Sequence, residues 1–598
     1  MAEYKSDHLF LRYLNSARRY EEQWRKNNER NFEYFDGEQW TEDEKYNIEM
    51  RGQQPTVINT IAPTIDMVCS VANDRQCDIQ VCGREGSDDN KAILLTELLK
   101  HTFDNADFDY FRNKAFRDAV IGGRAWFECG IFTDERGKDL VKIDCIPWEN
   151  VYVDPFSRKP DASDARFIIK IKWVDRDIVK KLFPDAADLV DSTFEDDYKG
   201  QEYEAQMNSV ERGDNFYYDS KSHRVRICEC YYTMPEKKKI KVLNEATGKE
   251  ETKEINSNVM HYVIFAKEII LKGSADNHSV NKMPLDIDVY PLVPMYCKRD
   301  NKGLPKGLVS DLIDIQDQIN KLNSKFLWTL MTNRIIAEEG ALRDPDEARL
   351  EMQKPDGLVI VNDGGLGRIR VDDKYRDLSY MSTHLQFLLS TEQRISGVND
   401  SMLGMGGTNE RSGTMQSVRI SQGAAMQTSI IENMHFTHKR VAQVVLRLIG
   451  KYYTDYRIVR ITQPNGTWET YEFNKPAMAM PGGETVSPEE YKAMNIPDFP
   501  GRKKPERTIL NKIEDILYYD VVLKKVPPFT TTRERQLLIF SEVLKANVIP
   551  APVAAEMMLT LSDMPHKEDL IMKLQQFYAE QQQIAQQAAQ GAMPPPQM

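Results

Sequence analysis

Two pairs of side chains have the residue types and spacing with which enzymes bind metal ions. His435 and His438 are three residues apart in a predicted helix, so their imidazoles would share one face. Asp286 and Asp288 alternate in a predicted strand and would place two carboxylates on one side, as a two-metal nuclease requires. Because neither pair has further ligands at a suitable spacing, we interpret both pairs as structural.

A loop rich in aspartate, residues 154–166, could also hold a cation. Asp154 precedes Pro155, while Asp161 and Asp164 lie on either side of Ser163. Aspartates beside proline and serine are typical of turns, where the carboxylate accepts hydrogen bonds from nearby backbone amides. We therefore predict turn and cap chemistry here and no metal site.

Motifs for nucleotide-driven or hydrolytic catalysis are absent from the sequence. It contains no G-x-x-x-x-G-K-[ST] phosphate loop, which an ATP-driven motor needs. It also lacks the H-E-x-x-H, G-x-S-x-G and protein-kinase motifs. The sequence thus predicts no catalytic residue, no cofactor and no metal, and the protein is not expected to be an enzyme.

Composition indicates a soluble, multidomain protein. A chain of 598 residues exceeds what one hydrophobic core supports. Its 79 basic against 92 acidic side chains give a formal charge of −13, which argues against tight nonspecific binding of nucleic acid. We interpret the basic clusters at 237–239 and 502–504 as solvated hairpin tips. No apolar run is long enough for a membrane span, and the N-terminus has no apolar signal core.

The eight cysteines are scattered and form no C-x-x-C pair. Cys228 and Cys230 would lie on the same face of one strand, with no further ligands nearby. We interpret the cysteines as reduced, mostly buried thiols of a cytosolic compartment.

Residues 308–395 predict two long helices separated by a compact insert, and the rest of the chain is arranged around them. Polar residues such as Gln316 and Lys321 would cover the other faces of the first helix. Two narrow apolar stripes on long helices suggest neighbours outside the chain. The stripes consist of Leu308, Leu312, Ile315, Ile319, Leu322, Phe326 and Leu330 on the first helix, and Leu378, Met381, Leu385, Leu388 and Ile395 on the second.

The insert between the helices predicts a small α/β module. Asp344 has the position of a helix N-cap, with Pro345 at the first helical position and Glu347 three residues after the cap. A β-hairpin is predicted from strands at 357–361 and 367–371. After the second long helix, five glycines fall within 397–413, and a third long helix is predicted over 414–453.

The remainder of the chain predicts an α+β fold. Helices are expected at 8–35, 61–75 and 91–121, and a short strand at 78–81. A hairpin is predicted from 124–132 and 139–147, and β-rich segments at 165–175 and 223–272. Towards the C-terminus, strands are expected at 456–474 and 516–526, helices over 531–578, and a Gln/Ala- and Pro-rich tail after them.

Several short segments resemble the portal (head-to-tail connector) proteins of short-tailed, double-stranded DNA bacteriophages. Their order and spacing over about 450 residues make the combination specific, although each segment alone is short. The segments are Tyr34-Phe35-Asp36-Gly37-Glu38-Gln39-Trp40, Gly52-Gln53-Gln54-Pro55 through Asn59, Asp154-Pro155 with Ser163-Asp164-Ala165, Pro305-Lys306-Gly307-Leu308-Val309 through Gln316 and Asn320, and Ser396-Gly397-Val398-Asn399 with Arg411-Ser412-Gly413.

The resemblance implies a division of the chain into the parts of the phage portal fold, assembled as a ring that usually has twelve subunits. The parts are a wing (1–300), a first stem helix (301–334), an α/β clip (335–373), a second stem helix (374–396), a channel or tunnel loop (397–413), a long helix with the return to the wing (414–530), a helical crown (531–578) and a short tail (579–598).

The resemblance also implies roles for individual residues. The channel-loop residues expected to face DNA are Asn399, Asp400, Ser401, Met402, Met405, Asn409, Glu410 and Arg411. The clip residues expected to dock the terminase or the tail adaptor are Glu338, Glu339, Arg343, Asp344, Glu347 and Arg349. The residues expected to pack the stem are Leu312, Ile315, Ile319, Leu322, Phe326, Leu378, Leu385 and Leu388.

The implied partners are other copies of this chain, the terminase large subunit, a tail adaptor protein, capsid and scaffolding proteins, and double-stranded DNA in the channel, with no membrane. The implied location is the portal vertex of the virion, after assembly in the host cytoplasm. An acidic channel would suit DNA that must move without being gripped. Two alternatives remain: another ring-forming virion or tail adaptor protein, and a DNA-packaging enzyme.

Overall fold

The computed structural model describes residues 3–75, 77–83, 89–192, 217–219, 222–243, 250–331, 335–351, 354, 356–371, 375–399, 402, 422–423, 425–462, 468–479, 485–487, 506–511, 513 and 519–525. By its internal contacts the chain divides into a large unit, residues 1–71 and 79–523, and a small unit, residues 72–78 and 524–598. The predicted crown and tail, 531–598, lie outside the described residues.

Helices and strands are mixed throughout the described chain, which confirms the α+β class. The helices are α1 (Leu9–Asp36), α2 (Glu42–Glu49), α3 (Ile61–Asp74), α4 (Asp89–Asn105), α5 (Phe108–Gly122), α6 (Arg176–Leu182), α7 (Val309–Met331), α8 (Pro345–Glu351), α9 (Tyr375–Ser396) and α10 (Thr428–Tyr452).

The strands fall mainly into antiparallel pairs. They are β1 (Glu3–Tyr4), β2 (Cys77–Gly83), β3 (Arg124–Thr133), β4 (Asp139–Ile146), β5 (Val151–Val153), β6 (Phe167–Asp175), β7 (Tyr218–Asp219), β8 (Arg224–Leu243), β9 (Glu250–Ala266), β10 (Ile269–Lys272), β11 (Leu292–Tyr296), β12 (Lys298–Arg299), β13 (Pro305–Lys306), β14 (Ile335–Ala337), β15 (Ile369–Val371), β16 (Arg457–Thr462), β17 (Trp468–Phe473), β18 (Lys475–Ala479), β19 (Thr485–Val486), β20 (Glu506–Leu510) and β21 (Tyr519–Lys525).

The first helix follows the predicted pattern. The Nδ1 atom of His8 accepts a hydrogen bond from the backbone N–H of Leu11 at 3.0 Å and so caps the helix start. Gly37 ends the helix in the left-handed region, at φ +92°. Phe10 and Leu14 are fully buried against the largest sheet, because helical spacing places them on one face.

The largest sheet has the strand order β1-β10-β9-β8-β6-β5, with β7 on an edge of β8. It is buried on both faces, because alternate residues of its central strands enter two different clusters. Cys228 and Cys230 pack with Phe10 on one face, whereas Tyr231 packs with Trp126 on the other. Burial raises the pKa of the Cys228 thiol to about 12, which makes it a poor nucleophile or metal ligand at neutral pH.

The predicted hairpin at 124–147 is present as β3 and β4, and β11 extends it to a three-stranded sheet. At the start of β3, Arg124 forms a buried ion pair with Glu21 of α1. Its Nη1 lies 2.7 Å from the Glu21 Oε1, and the Arg124 side chain is 1% exposed. The ring of Trp24 lies 4.6 Å from the Arg124 guanidinium carbon. This pair ties the first helix to the three-stranded sheet.

The end of α5 and the segment just before α7 approach each other closely through their glycine backbones, at Gly123 and Gly307. Gly123, which ends α5, has φ +97°. The backbone N–H of Leu308 donates to the carbonyl of Val120 at 2.7 Å, just before the first residue of α7. A Cβ on Gly307 would overlap the carbonyl oxygen of Ile121 and lie 2.6 Å from its carbonyl carbon. Only glycine permits this approach, and it fixes the starting point of α7 on the body.

Two sequence predictions about elements were wrong, and a third is only partly covered by the described residues. The helix predicted over 91–121 is two helices, because Asp107 adopts a left-handed conformation, φ 49°, which aspartate tolerates in turns. Of the third long helix, predicted over 414–453, residues 422–423 and 425–426 are helical and α10 runs from Thr428 to Tyr452, while residues 414–421 lie outside the described chain. Residues 284–290 do not form a strand.

Candidate functional site

The two long helices of the central stretch pack against each other within one chain. The first, predicted over 308–334, is α7, and the second, predicted over 374–396, is α9. Ile315, Ile319 and Leu388 form a buried cluster, with Leu322 and Leu385 half-buried beside it. Leu312 is buried, and Phe326 and Leu378 are half-buried. The expectation that both apolar stripes need outside neighbours was therefore wrong for this part of the pair, because the stripes cover each other.

Apolar side chains at other positions of the same helices remain exposed. Met331, at the end of α7, is 74% exposed, and Phe387, on the outer face of α9, is 57% exposed. Leu330 and Ile395, which belong to the predicted stripes, are also exposed. The helix pair thus retains apolar surface that its own described chain does not cover.

A polar ladder on α7, formed by Gln316, Asn320 and Ser324, holds the segment 56–60 along the helix. All three side chains are buried, although the sequence placed Gln316 on an outer face. They accept hydrogen bonds from alternate backbone amides, those of Thr60, Ile58 and Thr56, at 3.2, 3.0 and 3.1 Å. Four residues of a helix rise about 6.0 Å along its axis, and two residues of extended chain span roughly 6.6 Å. The spacing of the three side chains on α7 therefore matches the spacing of the three backbone amides.

The ladder also brings together two of the segments in which the sequence resembles portal proteins. Gln39 accepts a hydrogen bond from the Asn320 amide at 2.6 Å, so the segments 34–40 and 52–59 meet on α7. A second buried contact reaches α9, where Thr64 donates to the Glu392 carboxylate at 3.2 Å. Burial raises the pKa of Glu392. The sequence contained these residues, but periodicity alone did not identify them as buried contacts.

The insert is an α/β module, as predicted, but its strands pair differently. The predicted hairpin between 357–361 and 367–371 was wrong, because β15 pairs with β14 at the start of the insert. Asp344 caps α8 as predicted, since its Oδ1 accepts from the Asp346 N–H at 2.9 Å. All six predicted docking residues are exposed on this module: Glu338, Glu339, Arg343, Asp344, Glu347 and Arg349.

The start of the predicted channel loop folds back onto the residues before α10. Gly397 has φ +73°, and a Cβ there would lie 3.0 Å from the Cβ of Met426. The side-chain Oδ1 of Asn399 accepts from the backbone N–H of Met402 at 3.0 Å, and Met402 is buried. Burial within the subunit favours a packing role for Met402 over the predicted contact with DNA. The other predicted residues, Asp400, Ser401, Met405, Asn409, Glu410 and Arg411, lie outside the described chain.

The acidic residues singled out for metal chemistry have other partners. The Asp288 carboxylate lies 2.6 Å from Arg447, and Asp286 pairs with Lys451 one turn further along α10. Because they are not on a strand, the predicted shared face was wrong. In the aspartate loop, Asp154 accepts from the backbone and side chain of Arg166, at 3.1 and 2.7 Å. This is the turn chemistry that the sequence predicted.

Within the described residues, no group of three or more histidine, cysteine, aspartate or glutamate side chains could hold a metal ion. None of the helices described is both long and apolar enough to cross a bilayer. All eight cysteines are described and carry free thiols, and four of them are fully buried.

The two histidines of α10 lie inside the protein. Their ring centroids are 6.4 Å apart, and the ring of Phe108 lies 5.4 Å from that of His438. Burial lowers the pKa of His438 well below its usual value, and the positive charge of Arg112 adds to this effect. Arg112 itself pairs with Asp109 at 2.7 Å. His438 is therefore a neutral core residue.

Stability is expected to fall as the pH decreases through and below about 6.5, because the unfolded chain then binds a proton at His438 that the folded chain rejects. The loss is about 1.4 kcal/mol for each pH unit below the unfolded pKa, until the lower folded pKa is reached. We expect His438→Met to reduce this slope, measured by urea unfolding between pH 7 and 5. His384→Met, at an exposed position of α9, is the control. Equal slopes for wild type and His438→Met would contradict the assignment.

Two long helices around a small α/β insert are thus joined to a body of antiparallel sheets. The chain belongs to the family described as Phage P22-like portal protein, whose family model matches residues 11–598. It is also similar to the portal protein of Helicobacter pylori bacteriophage KHP30. The two are 21% identical over 559 residues, which cover 92% of this chain and 79% of that relative.

Proposed function

We propose that copies of this chain form a closed ring at one vertex of a phage capsid, and that DNA passes through the ring. DNA enters during packaging and leaves during ejection. The observation that carries the proposal is membership of the portal family over residues 11–598. A ring closes when identical subunits associate head to tail with a rotation that returns to the first. The resemblance to portal proteins implies twelve subunits.

The described elements suit distinct roles in that ring. Helices α7 and α9 form the stem, and the exposed Met331 and Phe387 supply apolar surface for neighbouring copies. The exposed charges of the insert form the clip, where the terminase large subunit docks and the tail adaptor later binds. Residues 397–413 form the channel loop, with Met402 as a buried anchor rather than a DNA contact.

The net negative charge of the chain favours movement of DNA through the channel without tight binding. With 92 acidic against 79 basic side chains, the chain as a whole repels DNA, which keeps nonspecific affinity low. The ring also serves as a platform that nucleates head assembly with capsid and scaffolding proteins in the host cytoplasm. This role is structural and requires neither a cofactor nor a catalytic residue.

Negative-stain electron microscopy of the purified protein tests the proposal. We expect rings with a central hole, and compact monomers at high protein concentration would contradict it. Met331→Ser combined with Phe387→Ser should shift the population from rings towards monomers, because it removes exposed apolar surface from the stem. Phe156→Ser, at a loop position that is 71% exposed, is the matched control and should leave rings intact.

A further inference from the structure

A partly open cavity of about 300 Å³ lies beside α10. Its apolar lining includes Val444 of α10, Leu292 of β11 and Met260 of β9. Val444 and Leu292 are buried on regular elements, so this part of the wall is already formed without a ligand. The hydroxyl of Tyr290, another lining residue, donates to the carbonyl of Ala165 at 2.8 Å and holds the aspartate loop beside the cavity.

The size of the cavity limits what it can hold. A well-packed apolar cavity of about 150 Å³ takes up benzene. A cavity of about 300 Å³ therefore has room for an apolar body of about two fused rings. Its lining combines apolar with charged side chains, as in pockets that bind small molecules, where a few polar groups fix the orientation of an otherwise apolar ligand.

Two arginines of α10 line the cavity, and they differ in how firmly they are paired. Arg440 and Arg447 are seven residues apart, so both lie on the same face of the helix, roughly 10 Å apart along its axis. Arg440 pairs at 3.1 Å with Asp161, whose side chain is only 9% exposed. Arg447 pairs with Asp288, whose side chain is 70% exposed. An ion pair with so exposed a carboxylate contributes little to stability, so the carboxylate of a ligand can share or replace it.

The three acidic side chains of the lining are already engaged by donors of the protein. Asp164 accepts from the hydroxyl of Ser157 and from the backbone N–H of the next residue, both at 2.7 Å. Asp161 and Asp288 are each paired with an arginine. A cationic ligand would have to compete with these donors, whereas an anionic ligand has to displace only one exposed carboxylate. The cavity therefore favours an anion.

We propose that this cavity binds a small organic carboxylate whose apolar body spans about two rings. The body packs against Leu292 and Val444, and the two carboxylate oxygens accept hydrogen bonds from the Arg447 guanidinium, whose planar geometry matches them. A doubly charged group such as a phosphate monoester fits less well, because Asp161 and Asp288 also line the cavity and repel a second negative charge. The proposal goes beyond the proposed channel and does not depend on ring assembly.

Titration of the purified full-length protein with the anion of naphthalene-2-acetic acid, followed by saturation-transfer difference NMR, tests the proposal. The neutral analogue naphthalene-2-ethanol has the same rings without the charge. We expect wild type to bind the carboxylate about tenfold more tightly than the alcohol, because charge-assisted hydrogen bonds are the stronger ones. Arg447→Gln should remove this preference, so that both probes bind about as weakly as the alcohol binds wild type.

Lys451→Gln is the matched control for the arginine variant. Lys451 lies one turn further along α10 and pairs with Asp286, whose side chain is 75% exposed, but neither residue lines the cavity. This variant therefore loses the same kind of exposed ion pair and should keep the wild-type affinity for both probes. Met260→Trp places a bulky ring at the cavity wall and should weaken the binding of both probes. Circular dichroism of each variant checks that it is folded.

Four results would each overturn the proposal: no binding of the carboxylate to wild type, equal affinity of wild type for the two probes, unchanged binding by Arg447→Gln, or an equal loss in Lys451→Gln. Binding by folded Met260→Trp as tight as by wild type would place the ligand elsewhere and would also overturn it. None of these results bears on ring formation, so each would leave the proposed function untouched.

Discussion

Replacing Gly307 by alanine is expected to destabilise the protein by about 3 kcal/mol or more, among the largest effects of any single methyl group in this chain. The added Cβ would overlap the Ile121 carbonyl oxygen and lie 3.0 Å from the backbone nitrogen of Gly123. Both neighbours are backbone atoms, so no side-chain rotation relieves the overlap. The hydrogen bond from Leu308 to Val120, which attaches the start of α7, would have to break or lengthen.

Urea unfolding of the Gly307→Ala variant, followed by circular dichroism, measures this effect. Gly130→Ala is a matched control, because a Cβ at this position of β3 would meet no atom within 4 Å. We expect that control to change the free energy of unfolding by less than about 0.5 kcal/mol. A Gly307→Ala protein as stable as wild type would mean that the backbone at Gly307 is not packed tightly against the end of α5.

Helix periodicity allowed α7 and α9 to be predicted to within a few residues. Apolar residues at steps of three and four mark α7 and α9, and end signals such as Asp36-Gly37 mark where α1 stops. The same signal does not specify what a stripe packs against. Ile319 and Leu388 fit the predicted stripes equally well whether they meet a partner chain or each other, and they meet each other.

Contacts between distant segments account for most of what the sequence did not predict. The strand at 369–371 was assigned to a nearby partner, since local pairing is the simplest interpretation of adjacent strand-like runs. Its actual partner, 335–337, lies more than thirty residues earlier in the chain. Gln316 and Asn320 are polar residues of a kind that usually faces solvent. Their burial depends on a segment about 260 residues away in the sequence. Sequence spacing carries no information about such a partner.

The candidate docking and channel-loop residues also differ in whether neighbouring or distant residues determine their contacts. Asp344 was predicted to cap a helix from its position before Pro345, and the cap is present because it depends only on neighbouring residues. Met402 was assigned to a DNA-facing loop through the family resemblance, yet it packs near Gly423. Resemblance assigned the loop, but the orientation of one side chain depends on the residues that surround it.

Replacing Glu21 by leucine is expected to destabilise the body of the protein by about 3–5 kcal/mol, because it leaves a buried arginine without its counter-charge. Besides Arg124, the Glu21 carboxylate accepts from the Arg25 guanidinium at 2.8 Å. Although burial alone would raise the pKa of Glu21, Arg124 and Arg25 lower it, so the carboxylate is charged at neutral pH. In the variant, the Arg124 guanidinium would remain between Trp24 and Trp126 with no carboxylate to balance it.

The neighbouring residue provides the control. Glu22 forms an ion pair with Lys26 at 3.2 Å, also one helical turn away, but both side chains are more than half exposed. Glu22→Leu should therefore cost less than about 1 kcal/mol in urea unfolding. Combining Glu21→Leu with Arg124→Met should recover much of the lost stability, since buried ion pairs contribute little once both charges are removed. If the double variant is no more stable than Glu21→Leu, the loss comes from packing rather than from an uncompensated charge.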